Sequence, residues 1–277
     1  MLARSAATHG AALQERTPAV RLAGISHSYR SSTGDDVRAL ADIDLTISPA
    51  EFVTVVGPSG CGKTTLLQLI AGFIRPTSGE VRVGPTSVTA PGRDRGVVFQ
   101  HPTTLYPWLN VRENVELGLR LRRISRAERR ARALAELEQV GLADVAERRP
   151  YELSGGMQQR AQIARALAND PDILLMDEPF GAVDALTREQ LQEQIRELWK
   201  ATRRTVVLIT HSVDEAVLLG SRVLAMSPRP GRIVLDEQLA FSALPKPNSE
   251  LRADPEFVAA AHRVRDTITH RHEEPTR

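Results

Sequence analysis

A run of nine residues, 57–65, has the composition of a loop that binds phosphate. An apolar segment (52–56) precedes it and predicts a buried strand, and a helical segment (64–70) follows it. Glycines allow positive φ, so successive N–H groups can turn toward an anion at the positive end of the helix. We expect Lys63 to reach the β and γ phosphates of a nucleotide and Thr64 to ligate Mg²⁺. The predicted cofactor-binding residues of this run are Gly57, Pro58, Ser59, Gly60, Cys61, Gly62, Lys63, Thr64 and Thr65.

Two adjacent carboxylates follow another apolar segment. Residues 173–176 predict a strand buried on both faces, and Asp177 and Glu178 stand at its end. In an open α/β sheet, ligands bind beyond the carboxyl ends of the strands. Asp177 is therefore expected to hold Mg²⁺, directly or through water, beside Thr64, and Glu178 to polarise the attacking water as general base. Taken alone, the pair is equally consistent with an ordinary strand end that carries two solvated acids; the phosphate loop favours the catalytic interpretation.

A glutamine and a histidine follow two further strand candidates. Gln100 comes after residues 96–99, and His211 comes after residues 205–209. Both are expected at the same sheet edge as Asp177, because the strands of a parallel sheet end on one side. There Gln100 can ligate Mg²⁺ or the water, and His211 can hydrogen-bond the γ phosphate. For either residue alone, a polar loop residue or a satisfied surface histidine is the simpler interpretation.

A second helix start with the character of an anion site occurs at residues 153–160. Ser154 is a suitable N-cap, and the two glycines after it, Gly155 and Gly156, leave backbone N–H groups accessible. By itself, a serine cap followed by a glycine turn is the favoured interpretation. However, one nucleotide seldom needs two phosphate-binding helix starts from the same chain. The simplest resolution is that this segment serves the nucleotide of another subunit.

The elements that carry these residues alternate between strands and helices. Such alternation predicts an α/β fold with a mostly parallel sheet and right-handed crossovers. A block of helical periodicity at about 101–160 interrupts the alternation and is interpreted as an inserted helical subdomain. A last helix is expected from Pro255 to about Thr267, with Asp254 as its N-cap. Further predicted strands are 20–29, 37–47, 79–83 and 222–225, and further predicted helices are 186–202 and 213–219.

The bulk composition is that of an ordinary globular protein. The chain has 277 residues, 42% of them apolar and 25% charged, and a net charge of +2, which is too small to argue for nucleic acid. The single cysteine, Cys61, excludes an intramolecular disulfide, and no apolar stretch is long enough to predict a membrane span. Residues 1–18 lack the apolar core of a secretory signal and are expected to form a disordered tail.

A cluster of arginines occupies residues 120–132, where a single acid, Glu128, accompanies them. A solvated helix face is the simpler interpretation of this cluster. Contact with anionic lipid headgroups is the alternative.

Together these positions resemble the ATP-binding subunit of an ATP-binding-cassette (ABC) transporter over residues 19–240. Tyr29 resembles the aromatic residue that stacks on adenine in this family, and residues 181–184, which end in Asp184, resemble the D-loop. Five motifs occur in the family's order: the Walker A run 57–64, Gln100, the signature segment 153–160 with Ser154 and Gly156, the Walker B segment 173–178, and His211.

The resemblance implies a P-loop NTPase of the ABC cassette type, with an N-terminal antiparallel β part beside a mostly parallel sheet core. It implies a head-to-tail dimer with a second copy, in which each ATP, with its Mg²⁺, meets Walker A of one copy and the signature segment of the other. Closure would be transmitted to integral membrane permease subunits at the cytoplasmic face of the cell membrane, and would indirectly serve a solute-binding protein. The matching catalytic positions Glu178, His211 and Gln100 are intact, so the resemblance implies an active ATPase.

Three further stretches, 92–100, 105–115 and 227–233, resemble the bacterial import subfamily for taurine, alkanesulfonates and nitrate. In that setting Tyr106 and Trp108 are expected to anchor the membrane subunit, the alternative being that both rings pack within the helical subdomain. Residues 241–277 are expected to form a C-terminal extension with one helix. Alternative functions are import of another small solute, export, a non-transport ABC ATPase, and a cassette that binds ATP as a switch without useful hydrolysis.

Overall fold

The computed structural model of the protein describes residues 19–30, 34–100, 104–181 and 183–270. The tail predicted at 1–18 lies outside these residues. The strands of the described part are β1 (Val20–Arg30), β2 (Asp36–Ile47), β3 (Phe52–Val56), β4 (Ser78–Val83), β5 (Thr86–Ser87), β6 (Arg95–Val98), β7 (Ile173–Asp177), β8 (Thr205–Ile209), β9 (Arg222–Met226) and β10 (Ile233–Gln238). The α-helices are α1 (Lys63–Ala71), α2 (Val111–Leu121), α3 (Arg126–Gln139), α4 (Gly155–Leu167), α5 (Ala185–Thr202), α6 (Val213–Leu219), α7 (Asn248–Arg252) and α8 (Pro255–His270).

Six strands form the central sheet, in the order β10-β9-β3-β8-β7-β6. Every neighbouring pair is parallel except β10 and β9, which are antiparallel. β3 and β8 are buried at every position, because helices or the second sheet cover both faces and apolar runs suit such strands. The register sets Asp177 at the end of β7 opposite Ile209 at the end of β8. The predicted mostly parallel α/β core is therefore confirmed.

A second, antiparallel sheet of four strands has the order β2-β1-β4-β5. Its apolar face, which includes Val20, Leu22 and Ile25, belongs to the same buried cluster as Leu66 and Ile70 of α1. The sheet therefore covers one face of the central sheet, and β1 ends close to the helix that follows the phosphate loop. This is the antiparallel β part that the resemblance implied.

The helical insertion consists of α2, α3 and α4, which pack on one another through Val115, Leu119, Leu137 and Ala161. The stretch 111–145 is divided into two helices, because Arg123 takes a left-handed conformation (φ 59°) after α2 and Ser125 caps α3. The last helix of the insertion, α4, continues to Leu167, beyond the predicted end of the subdomain near residue 160.

The C-terminal extension packs on the same core as the central sheet. Leu251, Phe257 and Val264 are buried in the cluster that contains α6 and one face of β3 and β8. The predicted last helix is present as α8, and the structure adds the short helix α7 before it. The prediction of a single helix here missed α7, because five residues are too few to display an apolar period.

Candidate nucleotide-binding site

The loop between β3 and α1 depends on glycine at its turn into the helix. Gly60 and Gly62 have φ of 73° and 103°, a region that residues with a Cβ rarely adopt. A Cβ at Gly62 would lie 2.6 Å from Cδ2 of Leu40, on β2, and 3.0 Å from the carbonyl oxygen of Ala39. The loop can therefore approach β2 this closely only without a side chain at residue 62.

Lys63 is the charged centre of the loop. Its side chain is buried, and Nζ donates to the carbonyl oxygens of Gly57 (2.8 Å) and Pro58 (3.0 Å). Cys61 is buried beside it, with Sγ 3.9 Å from Nζ, and burial raises the pKa of the Cys61 thiol above its ordinary value. A buried thiol with a raised pKa is unreactive, so Cys61 acts as a small side chain that fills the loop.

The two residues predicted to hold Mg²⁺ on either side of the phosphate loop meet in the structure. The Thr64 hydroxyl donates to Oδ1 of Asp177 at 3.3 Å, which joins the start of α1 to the end of β7. Burial raises the pKa of Asp177, the hydrogen bond from Thr64 and the charge of Lys63 lower it, and the charge of Glu178 raises it. A hydroxyl and a carboxylate are oxygen donors of the kind that Mg²⁺ prefers.

Glu178 is the point at which the predicted catalytic residues converge. Its Oε2 accepts a hydrogen bond from Nε2 of Gln100 at 3.0 Å and lies 3.3 Å from Nδ1 of His211. Its backbone N–H donates to the carbonyl oxygen of Ile209 at 2.9 Å, and its φ of 45° is left-handed. A non-glycine residue held in this conformation carries backbone strain, which is common at functional sites.

A cavity of about 290 Å³ extends from Glu178 and the phosphate loop to the end of β1. Tyr29, Lys63, Thr64 and Glu178 line it, and the Tyr29 hydroxyl lies 3.1 Å from Oγ1 of Thr65. Arg229 lines the same cavity, with Nε donating to the carbonyl oxygen of Gly60 at 3.4 Å. Arg229 was not predicted as a lining residue of this cavity, since the stretch 227–233 indicated only a subfamily resemblance.

The signature residues and the D-loop aspartate lie together, outside this cavity. Ser154 caps α4 by accepting from the backbone N–H of Met157, and Asp184 caps α5 by accepting from that of Thr187 at 3.0 Å. Gly156 is buried against Thr187, where a Cβ would lie 2.3 Å from Cγ2. Of the residues described, Ser154, Gly156 and Asp184 do not line the cavity that contains Lys63. Within one chain, the phosphate loop at the start of α1 and the signature segment at the start of α4 are therefore separate.

The aromatic pair and the arginine cluster have different surroundings. Trp108 is 67% exposed, so packing within the helical subdomain does not describe it, and Tyr106 lies 5.2 Å from it, centroid to centroid. Several arginines of the cluster have partners within the fold: Arg129 with Glu116, Arg130 with Glu147, Arg132 with Glu128, and Arg122 with the carbonyl oxygen of Asn169. These contacts favour the interpretation of a solvated, ion-paired face.

The mostly parallel sheet, the phosphate loop and the residues that converge on Glu178 define the cassette of a transport ATPase. Residues 40–181 match the family described as ABC transporter, and the chain belongs to that family. None of the helices in the described ranges is both long and apolar enough to cross a membrane.

Similar proteins carry related names. The taurine import ATP-binding protein of Roseobacter denitrificans is 48% identical over 235 residues, which are 84% of this chain and 87% of that protein. The taurine import ATP-binding protein of Burkholderia pseudomallei is 50% identical over 236 residues, 84% of this chain and 90% of that one. A protein of Brucella abortus, described only as ATP-binding, is 52% identical over 233 residues, 84% of this chain and 88% of that one.

A solved structure matches the fold as well. The dimeric ATP-binding cassette MJ0796, in a post-hydrolysis state bound to ADP and Pi, has a TM-score of 0.71 and 36% identity to this chain. The match covers 80% of this chain and 99% of that one.

Proposed function

We propose that this chain is the energising subunit of a membrane importer for taurine or a related small anion, an alkanesulfonate or nitrate. The observation that carries the proposal is that Gln100 and His211 both contact Oε2 of Glu178, beside the loop that holds Lys63. The relatives named as taurine import ATP-binding proteins support the solute class.

The phosphate loop would bind the nucleotide through its backbone and through Lys63. The Lys63 ammonium, now held by two loop carbonyls, would exchange them for the β and γ phosphates, where charge-assisted hydrogen bonds are stronger. The Tyr29 ring stands at the edge of the same cavity, where it can stack on adenine. Arg229 adds a second positive charge near Gly60.

Thr64, Asp177 and Gln100 fit a bound Mg²⁺. They offer a hydroxyl, a carboxylate and an amide, and the Gln100 amide nitrogen faces Glu178, so its oxygen faces away from that carboxylate. When bound, the cation would neutralise charge on the phosphates.

Glu178 would act as the general base for the attacking water. Because Gln100 and His211 both contact Oε2, the carboxylate has a fixed rotation and Oε1 is left to accept the proton of the water. With a proton on both ring nitrogens, the His211 imidazole would donate through Nδ1 to Glu178 and through Nε2 to the γ phosphate. This arrangement assigns proton transfer to Glu178 and phosphate contact to Lys63 and His211.

The separate position of Ser154 and Gly156 supports a site shared with a second copy of the chain. The amino end of α4 would meet the nucleotide held by the partner's phosphate loop, in a head-to-tail dimer. Asp184, at the adjoining start of α5, would lie at the same interface.

Permease subunits would dock at the surface that carries Trp108 and Tyr106. Exposed aromatic side chains are common anchors of protein interfaces. In this arrangement the chain is peripheral to the cytoplasmic face of the membrane, takes no nucleic acid, and serves a solute-binding protein through the permease.

Uptake in cells tests the proposal. A strain that lacks this gene should lose uptake of radiolabelled taurine, and the wild-type gene should restore it. Glu178→Gln should fail to restore uptake, because removal of a general base typically costs about 10²- to 10⁴-fold in rate, whereas purified Glu178→Gln protein should still bind ATP. Glu256→Gln, which changes an exposed acid on α8, is the matched control and should restore uptake.

Parallel arms with an alkanesulfonate and with nitrate identify the solute among the proposed anions. Normal uptake of all three in the deletion strain would contradict the proposed solute class and favour the alternatives: another small solute or a non-transport ABC ATPase. Near-normal ATP turnover by Glu178→Gln protein would remove Glu178 as the base.

A further inference from the structure

A line of hydrogen bonds connects the C-terminal extension with the turn that carries His211. Nη2 of Arg252, at the end of α7, donates to Oε1 of Gln192 on α5 at 2.8 Å. Nε2 of Gln192 donates to Oε1 of Glu215 on α6 at 3.2 Å, and the Thr210 hydroxyl donates to Oε2 of Glu215. Arg252 of α7 is therefore connected through Gln192 of α5 to the Glu215 carboxylate, which Thr210, directly after β8, also contacts.

The interior members of this line are almost completely removed from solvent. Gln192 and Thr210 are each 1% exposed and Glu215 is 6% exposed. Burial raises the pKa of Glu215, whereas the Thr210 hydrogen bond and the charges of Arg188 and His211 lower it. A buried polar group that loses a partner cannot replace it with water at little cost, so each bond constrains the next one.

The line reaches the residues on both sides of His211. The Thr210 hydroxyl that donates to Glu215 also accepts from the backbone N–H of Ser212 at 3.0 Å. The Ser212 hydroxyl in turn accepts from the backbone N–H of Glu215 at 3.3 Å, which caps α6. Thr210, before His211, is thus tied to the Glu215 carboxylate directly, and Ser212, after it, is tied through the Thr210 hydroxyl, while the imidazole itself lies near Glu178.

The extension has further contacts with α6, the helix that begins directly after this turn. Arg265 of α8 forms an ion pair with Asp214 in the first turn of α6, at 3.2 Å. Leu251 and Phe257 share a buried cluster with Ala216 and Val217 of α6. A displacement of α7 and α8 would therefore also displace the turn that carries His211.

We propose that Glu215 is a positioning residue for His211, and that α7 holds Glu215 in position through Arg252 and Gln192. The consequence for hydrolysis rests on the proposed role of His211, whereas the positioning itself does not. The C-terminal extension thereby becomes part of the support of the catalytic site.

The side-chain NMR resonances of His211 in the full-length protein test the positioning directly. They are assigned from the signals that disappear in His211→Ala protein. Arg252→Gln and Glu215→Gln should both shift them, and Arg252→Lys should restore much of the original position. Arg263→Gln is the matched control, because Arg263 pairs with Glu237 on β10 and not with the line to His211. Unshifted His211 resonances in both Arg252→Gln and Glu215→Gln would overturn the proposal.

Steady-state hydrolysis of Mg-ATP supplies the second measurement. Arg252→Gln should lower kcat about threefold and Glu215→Gln about tenfold, the range of coupling through packed networks, with KM for ATP nearly unchanged. A rise in KM without a fall in kcat would contradict a role through His211. Full turnover by His211→Ala protein would instead contradict the proposed function of His211, which keeps the two failures distinct.

Discussion

Asp177 and Glu178 are neighbours in sequence with different surroundings. Asp177 is the last residue of a buried strand, hydrogen-bonded to Thr64, and burial raises its pKa. Glu178 has left the strand in a left-handed conformation, and its side chain contacts Gln100 and His211. Adjacent acids placed in different environments can take different roles, here the proposed roles of a cation ligand and a base.

The raised pKa of Asp177 gives a prediction for stability. The pKa of Asp177 is higher in the folded state than in the unfolded state, so the native state binds the proton more tightly. The contribution of Asp177 to the free energy of unfolding therefore falls as pH rises from the unfolded pKa through the folded pKa. Asp177→Asn removes the buried charge and keeps an oxygen that can accept from Thr64. We therefore expect the variant to be more stable than wild type at neutral pH, with a gain that shrinks in acid.

Urea unfolding of both proteins, at neutral pH and below the ordinary titration range of aspartate, measures this difference. A gain that is equal at the two pH values would contradict the burial of an ionised Asp177. Hydrolysis of Mg-ATP by the variant should fall at both pH values, because the proposed cation ligand is lost.

Among the elements, the starts of α4 and α5 depend on one another. Gly156 packs directly on Thr187, with no room for a methyl group between them. Gly156→Ala should lower the free energy of unfolding by about 1–3 kcal/mol, the usual cost of overpacking. Thr187→Ser removes the Cγ2 atom involved, so Gly156→Ala combined with Thr187→Ser should recover most of the loss.

Urea titrations of the two single variants and the double variant complete this cycle. If the double variant is no more stable than Gly156→Ala, the contact between α4 and α5 is not the cause of the loss. Recovery would show that the signature segment and the D-loop helix are held against each other.

Elements buried on both sides were predictable from the sequence, and partly exposed ones were less so. β3 and β8 occur at the predicted residues because continuous apolar runs of this length predict buried strands. β10 was missed because it is a half-exposed edge strand with a weak pattern. The position of Gln100 and His211 at one sheet edge with Asp177 followed from strand ends, since parallel strands present their carboxyl ends at one edge, whereas their contacts with Glu178 were not predicted.

The residues that surround and position the site could not be predicted from the sequence. Gln192 and Glu215 have the residue types of solvated helix faces, yet both are buried and bonded to each other, and Gln192 also accepts from Arg252 of the extension. Arg229 reaches the phosphate loop from a loop after β9, and no local sequence pattern predicts this contact. Contacts between polar side chains that are far apart in sequence produce no periodic pattern from which they could be predicted.

At the scale of the whole molecule, the two predicted parts of the nucleotide site do not meet within one chain. The cavity beside Lys63 and the capped start of α4 at Ser154 lie apart in the fold. The central claim is that two copies complete each site, so that each nucleotide contacts Lys63 of one chain and Ser154 of the other. A symmetric dimer would then contain two such sites.

Mixing two inactive variants, Lys63→Ala and Ser154→Arg, tests this claim most directly. In the mixed dimer one site carries both lesions, while the other combines an intact phosphate loop with an intact signature segment. Since random mixing makes half of the dimers mixed, hydrolysis of Mg-ATP should return to about a quarter of the wild-type rate. Each variant alone should stay inactive. If the mixture is as inactive as its components, the nucleotide site is not shared between chains.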